Sequence, residues 1–214
     1  GKPVVAVITS MAQPLGTHIG NALEVKDAID VLAGRTQGDL LEISLLLGSH
    51  MLVLAEKAKT LPEARTMLEN ALSSGAGLRK LAEMISAQGG DPRVVEDLSL
   101  LPQAAVKRVM RAETAGYLSA MDTTALGMAA QRMGAGRAKK SDMLDYSVGY
   151  VLHVRLGDEV TEDTPLATLY ARNEAEAEEA EKAIRKALTI ARKKPQAPKL
   201  WDAVVTAEGI IYNR

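Results

Sequence analysis

The apolar run Val4-Val-Ala-Val-Ile8, the loop Met11-Ala-Gln-Pro-Leu-Gly-Thr-His-Ile-Gly20 and the helical pattern opening at Asn21 give a strand, a glycine-bearing turn and a helix in immediate succession. Continuous apolar and β-branched residues from Val4 to Thr9 predict a strand covered on both faces, as in a parallel sheet. Ala22, Leu23, Val25, Ala28, Ile29 and Leu32 recur at helical spacing, and Gly34 supplies a stop. In α/β folds the turn between such a strand and helix leaves backbone N–H groups free, and the helix N-terminus attracts anions. This loop is therefore the first candidate for ligand binding.

The segments that follow are mostly helical up to residue 90. Asp39 and Glu42 form a capping box ahead of an apolar helix over 40–55, and Thr60 with Glu63 repeats that signal. Leu68, Leu72, Leu78, Leu81 and Ile85 continue the helical pattern until Gly89-Gly-Asp-Pro92 breaks it. Beyond Leu101-Pro102 the texture changes. Ala104 to Arg111 alternates apolar and basic residues, Gly116 to Met121 reads as a short strand, and Thr124 to Met133 as a small helix ending at Gly134. Residues 145–170 predict short strands joined by a tight Gly157-Asp158 turn. A last helix spans Glu174 to Arg192, capped by Asn173, and Trp201 to Tyr212 returns as extended chain. The change in texture places a domain boundary at 102/103, giving domains 1–102 and 103–214.

Composition narrows the functional classes. At 214 residues, with 47% apolar and 25% charged, the chain has the makings of a globular protein with a sizeable core. A formal charge of −1 provides no basic field for nucleic acid or an anionic membrane. The absence of cysteine excludes disulfides, thiolate metal sites and a cysteine nucleophile, and agrees with a cytoplasmic location. The most apolar stretch, Leu40 to Ala55, is interrupted by Glu42, Ser44 and His50 and is too short to span a bilayer. Gly1 stands where an initiator methionine is usual, three residues before a strand-like run, which predicts processing, a tag scar or an excerpt from a longer chain.

Familiar catalytic constellations are missing. The three histidines, His18, His50 and His153, lack metal-ligand spacing, and neither a nucleophile elbow nor a phosphate-loop lysine occurs. His50 and His153 read as structural residues, and the glutamates at 174, 176, 178 and 179 as a solvated helix face. The opening loop offers something else. Leu15 and Gly16 follow a proline that fixes their turn, and Asp27 lies about two turns into the next helix. Backbone carbonyls with one carboxylate suit a hard, weakly charged cation, whereas Asp27 as an ordinary surface residue is the plain alternative.

The wording Q-P-L-G-x-x-x-G-N-A-L-E-V-x-x-A-I, over Gln13 to Ile29, resembles the later half of pyrimidine nucleoside phosphorylases, the thymidine phosphorylase family. Ala87-Gln-Gly-Gly-Asp-Pro92, Leu101-Pro102, Gly116-Tyr117, Met121-Asp122, Leu126-Gly127, Gly134-Ala-Gly-Arg137, Ser147-Val-Gly149 and Gly157-Asp158 continue the likeness in family order. The resemblance implies the C-terminal part of a mixed α/β catalytic domain followed by an α/β hammerhead, a barrel-sandwich-like domain. It implies reversible phosphorolysis, in which inorganic phosphate attacks the anomeric carbon of a pyrimidine nucleoside and yields free base and a pentose 1-phosphate. It also implies a potassium-like monovalent cation held by the carbonyls of Leu15 and His18 and by the side chain of Asp27, where the family more often carries glutamate. A homodimer is implied for the full-length protein.

The family holds phosphate through a glycine-rich G-H-T-G-G-T-type segment and the base through an arginine, serine and lysine further on. Neither segment occurs in these residues, so no catalytic residue is carried over and the chain alone is expected to be inactive. Two alternatives remain. One is another phosphorylase of the superfamily, acting on nucleoside monophosphates. The other is a non-catalytic barrel-sandwich module, because G-D-x-V-x-x-x-x-P-L at Gly157 to Leu166 also resembles biotinyl and lipoyl carriers. Tyr117-Leu-Ser-Ala-Met121, at the corresponding hairpin place, has no lysine to carry an acyl group.

Overall fold

A computed structural model describes residues 2–213 of the chain, so the expectation attached to Gly1 lies outside the described residues. The fold is mixed α/β. In chain order it comprises β1 (Ala6–Thr9), β2 (His18–Ile19), α1 (Asn21–Leu32), α2 (Asp39–Leu54), α3 (Leu61–Ser73), α4 (Ala76–Ala87), β3 (Val106–Arg111), β4 (Gly116–Met121), α5 (Thr123–Ala130), β5 (Gly149–Leu152), β6 (Glu159–Val160), β7 (Pro165–Ala171), α6 (Glu174–Ala187), β8 (Leu188–Ala191), β9 (Trp201–Thr206) and β10 (Gly209–Tyr212). Among the described residues no helix is long and apolar enough to cross a membrane.

Two compact units divide the chain, and neither is continuous in sequence. The first contains residues 2–10, 28–97 and 199–213; the second contains residues 11–27 and 98–198. The division falls inside α1 and again at Asp97/Leu98.

In the first unit, a three-stranded sheet of order β1-β9-β10 joins the two far ends of the sequence. β1 pairs antiparallel with β9, Val7 opposite Val204, and Ile8 is 48% exposed. The expectation of a parallel strand covered on both faces is therefore corrected. A continuous apolar run specifies a strand but not its partner, and this partner lies nearly the whole chain away. The helices α2 and α3 pack around Val31, Leu41 and Leu45, with Leu68 and Leu72 against them. Thr60 caps α3 by accepting the Glu63 N–H, and Glu63 reaches back to the N–H of Lys59. At α2 the cap is Gly38 rather than Asp39. Gly38 has φ of 122°, which an L side chain rarely adopts, so Asp39 already lies within the first helical turn and no side chain caps the helix.

The second unit holds two sheets, ordered β2-β5-β7-β3 and β6-β4-β8. Met110, Leu118, Leu126, Tyr150, Leu152, Leu169 and Ile184 are all at most 1% exposed in one apolar cluster shared with α5 and α6. The Tyr150 hydroxyl donates to Leu126 O at 2.8 Å, which satisfies it, and burial pushes the phenol's pKa up.

Two sequence expectations change here. Gly157-Asp158 makes a tight turn, with φ of 92° at Gly157 and the Asp158 carboxylate accepting the Arg155 N–H at 2.7 Å. It joins β5 to β6, which belong to different sheets, so no hairpin forms. The last helix stops at Ala187, five residues short of Arg192, because Leu188 turns extended and Leu188 to Ala191 pair with β4. Strand pairing of the β-branched Thr189 and Ile190 outweighs the helical spacing of the charges. Asn173 caps α6 as expected, accepting the Glu176 N–H at 2.9 Å.

Candidate functional site

The site is built in the second unit, where β2 and the first turns of α1 meet β5. Close approach of two backbones makes this junction possible. A side chain on Gly149 would place its Cβ 2.1 Å from Ile19 O, and one on Gly20 would meet Val148 O at 2.5 Å. Both glycines have φ between 136° and 146°. Only glycine supplies that conformation without a Cβ in the way. Leu152 N–H donates to Thr17 O at 2.8 Å, so the end of the loop is pinned to the sheet.

Asp27 projects back from α1 to the same loop. It is 4% exposed, and its carboxylate accepts the Thr17 N–H at 3.2 Å. His18 Nδ1 lies 3.5 Å from the other Asp27 oxygen and 3.0 Å from Thr17 Oγ1. The buried carboxylate is thus held by a backbone donor and an imidazole, partners of the kind a buried charge requires. The structure brings Asp27 and His18 together, and rules out the surface reading of Asp27.

Leu15 faces other company. The Arg155 guanidinium donates to Pro14 O at 2.7 Å, and to Leu15 O and Gly16 O at 3.4 Å each. Gln13 Oε1 accepts the neighbouring Leu156 N–H at 2.9 Å. A planar fork of donors satisfies three consecutive carbonyls and leaves a positive charge on the turn. Neither Gln13 nor Arg155 was assigned a role from sequence. Arg155 follows β5, about 140 residues after the loop it clamps, and no local pattern marks such a contact.

The other sequence candidates are structural. Among the described residues no group of three or more histidines or carboxylates is arranged to hold a metal ion. Glu176, Glu178 and Glu179 pair with Arg172 or Lys182, and Glu174 lies 3.6 Å from Arg108, the behaviour of a solvated face. His153 Nε2 bonds Thr168 Oγ1 at 2.7 Å, and burial, with the charge of Lys107, lowers its pKa. His50 in the first unit keeps a buried Nε2 with no partner, and desolvation lowers its pKa too. A cavity of about 700 Å³ lined by α5 and α6 is mostly apolar, and its Lys182 and Glu176 are spent on the pairs just named.

The Pyrimidine nucleoside phosphorylase C-terminal domain matches residues 117–191. The pyrimidine-nucleoside phosphorylase of Bacillus subtilis (strain 168) is 49% identical over 174 residues, 81% of this chain and 40% of the relative. That of Geobacillus stearothermophilus is 48% identical over the same shares. The enzyme of Staphylococcus aureus (strain USA300) is 42% identical over 191 residues, 89% of this chain and 44% of the relative. This chain matches the C-terminal part of the pyrimidine nucleoside phosphorylases. It spans 40–44% of the length of these curated relatives.

Proposed function

We propose that this chain forms part of a pyrimidine nucleoside phosphorylase, a pentosyltransferase acting reversibly on thymidine, uridine or deoxyuridine. A phosphate oxygen bonds to the anomeric carbon, the bond from that carbon to the base nitrogen breaks, and the base leaves with the electron pair and takes up a proton. The products are the free base and a pentose 1-phosphate. The observation that carries this reading is the 49% identity to a pyrimidine-nucleoside phosphorylase across 81% of the chain. In this reading the chain contributes the later part of the catalytic domain, up to residue 102, and a hammerhead domain over 103–214. The full-length protein is a cytoplasmic homodimer, and its phosphate and base contacts come from segments outside these 214 residues.

A potassium-like cation belongs to the same proposal, with the carbonyls of Leu15 and His18 and the carboxylate of Asp27 as donors. The donor chemistry fits, since all are oxygens and Asp27 is buried. Arg155, 3.4 Å from Leu15 O, is a competing positive charge and favours weak binding. Thermal unfolding in potassium against choline chloride at equal ionic strength tests the ion. A potassium-specific rise in Tm, lost in Asp27→Asn, is expected; equal Tm in both salts removes the cation from the proposal.

The function is tested by a chimera. Residues of this chain replace the matching segment of the Bacillus subtilis enzyme, and uridine and thymidine phosphorolysis is followed by absorbance. Retained turnover is the expected result, with none from the 214-residue chain alone. A folded chimera without turnover overturns the reading, and turnover by the isolated chain overturns its assigned dependence on other segments.

A further inference from the structure

A second cavity in the same unit, of about 360 Å³, is unlike the first in its charge. Lys26, Lys107 and Tyr170 line it, with no carboxylate among the lining residues. Local structure places each of them. Ala22 and Lys26, one turn apart on α1, share a helix face, and both line the cavity. Lys107 on β3 stands directly opposite Tyr170 on β7, and its ammonium lies 5.7 Å from the centre of the ring.

The polar neighbours are mostly committed to the protein. The Ser147 hydroxyl donates to Asp145 at 2.6 Å, and the Gln103 amide donates to Leu98 O and Leu101 O. Among the described residues neither Lys26 nor Lys107 is ion-paired with a carboxylate. Two like charges on one concave surface repel each other, and walls such as Leu101 and Pro102 lower the local dielectric and strengthen the field. That field reaches His153, whose pKa Lys107 helps to depress. The first turn of α1, at Ala22 and Leu23, adds the positive end of a twelve-residue helix.

We propose that this cavity binds a small organic molecule through its oxyanion group, a phosphate monoester or a carboxylate, held by Lys26 and Lys107 with its body against Tyr170, Leu101 and Pro102. The volume exceeds what a bare phosphate needs and falls in the usual range of small-molecule sites. The assignment is independent of the proposed phosphorolysis.

Phenyl phosphate and benzoate are the probes, titrated into the isotope-labelled 214-residue chain at constant ionic strength, with phenol as the uncharged control. Saturable NMR shifts at residues 22–26, 99–107 and 170 are expected with at least one of the two anions. Which anion saturates decides between phosphate and carboxylate. A Lys26→Gln, Lys107→Gln double variant, checked for folding by circular dichroism, weakens binding at least tenfold, while Lys182→Gln leaves it unchanged. The proposal is overturned if neither anion saturates, if the double variant binds as well as the parent, or if phenol binds as tightly as both anions.

Discussion

The two units bury their apolar residues to very different degrees. In the second, seven large side chains at 0–1% exposure interlock across sheets and helices; in the first, Ile29 is buried as fully, but Leu41 and Leu45 reach only 8% and 5%, and Leu47, Met51 and Val4 are 43%, 68% and 72% exposed. The cause is architectural. Strands β5 and β7 are covered on both faces, so nearly every position packs, whereas α2 buries Leu41, Ile43, Leu45 and Ser49 and α3 buries Ala64, with most of their other positions partly or fully exposed. Stability should therefore reside in the second unit, and hydrogen exchange should open the first unit sooner.

Paired substitutions can break that contrast. Gly149→Ala forces a Cβ against Ile19 O and is expected to cost about 4 kcal/mol or more. Gly34→Ala, at φ of 71° with nothing within 4 Å, should cost about 1 kcal/mol in denaturant unfolding. Similar losses would mean the β2–β5 junction yields more than its packing implies. Core truncations come next: Leu169→Ala should lose about 3–4 kcal/mol and Leu45→Ala about 2 kcal/mol, because the small cluster of Val31, Leu41 and Leu45 collapses round a cavity more easily. An equal loss would show that the first unit is as tightly packed as the second.

Smaller effects sharpen the comparison from the other side. Asn173→Ala and Thr60→Ala remove the same kind of cap, so each should cost about 1 kcal/mol whichever unit holds it. Unequal costs would tie cap strength to the packing around it. His50 is expected to contribute a pH dependence in the first unit. Its folded pKa lies below 6.5, so the unfolded chain binds more protons between those two values. Stability is full above 6.5 and falls as the pH drops towards the folded pKa; His50→Leu should flatten that slope in chemical denaturation. An unchanged slope would assign the dependence to other groups.

What was legible in the sequence follows the range of each interaction. The helices α1, α2 and α3, and the caps at Thr60 and Asn173, rest on contacts three or four residues apart, and the sequence shows them directly. The candidate loop was legible too, together with Asp27, because a helix of known pitch links them. What failed was decided at a distance. The antiparallel partner of β1, the assignment of β5 and β6 to separate sheets, and the early end of α6 all depend on strands far along the chain. Arg155 belongs with these, as its bonds to residues 14–16 span about 140 positions.

The ladder between β1 and β9 has a consequence for how the protein is made. Val7 cannot meet Val204 until the whole stretch between them has been synthesised. During that interval the exposed edge of β1, with Ile8, is an unpaired template for association with other chains. Closing so long a loop is slow. The sheet that ties the ends together is thus the last part of the first unit able to form, and the step at which nascent chains most need shielding from one another.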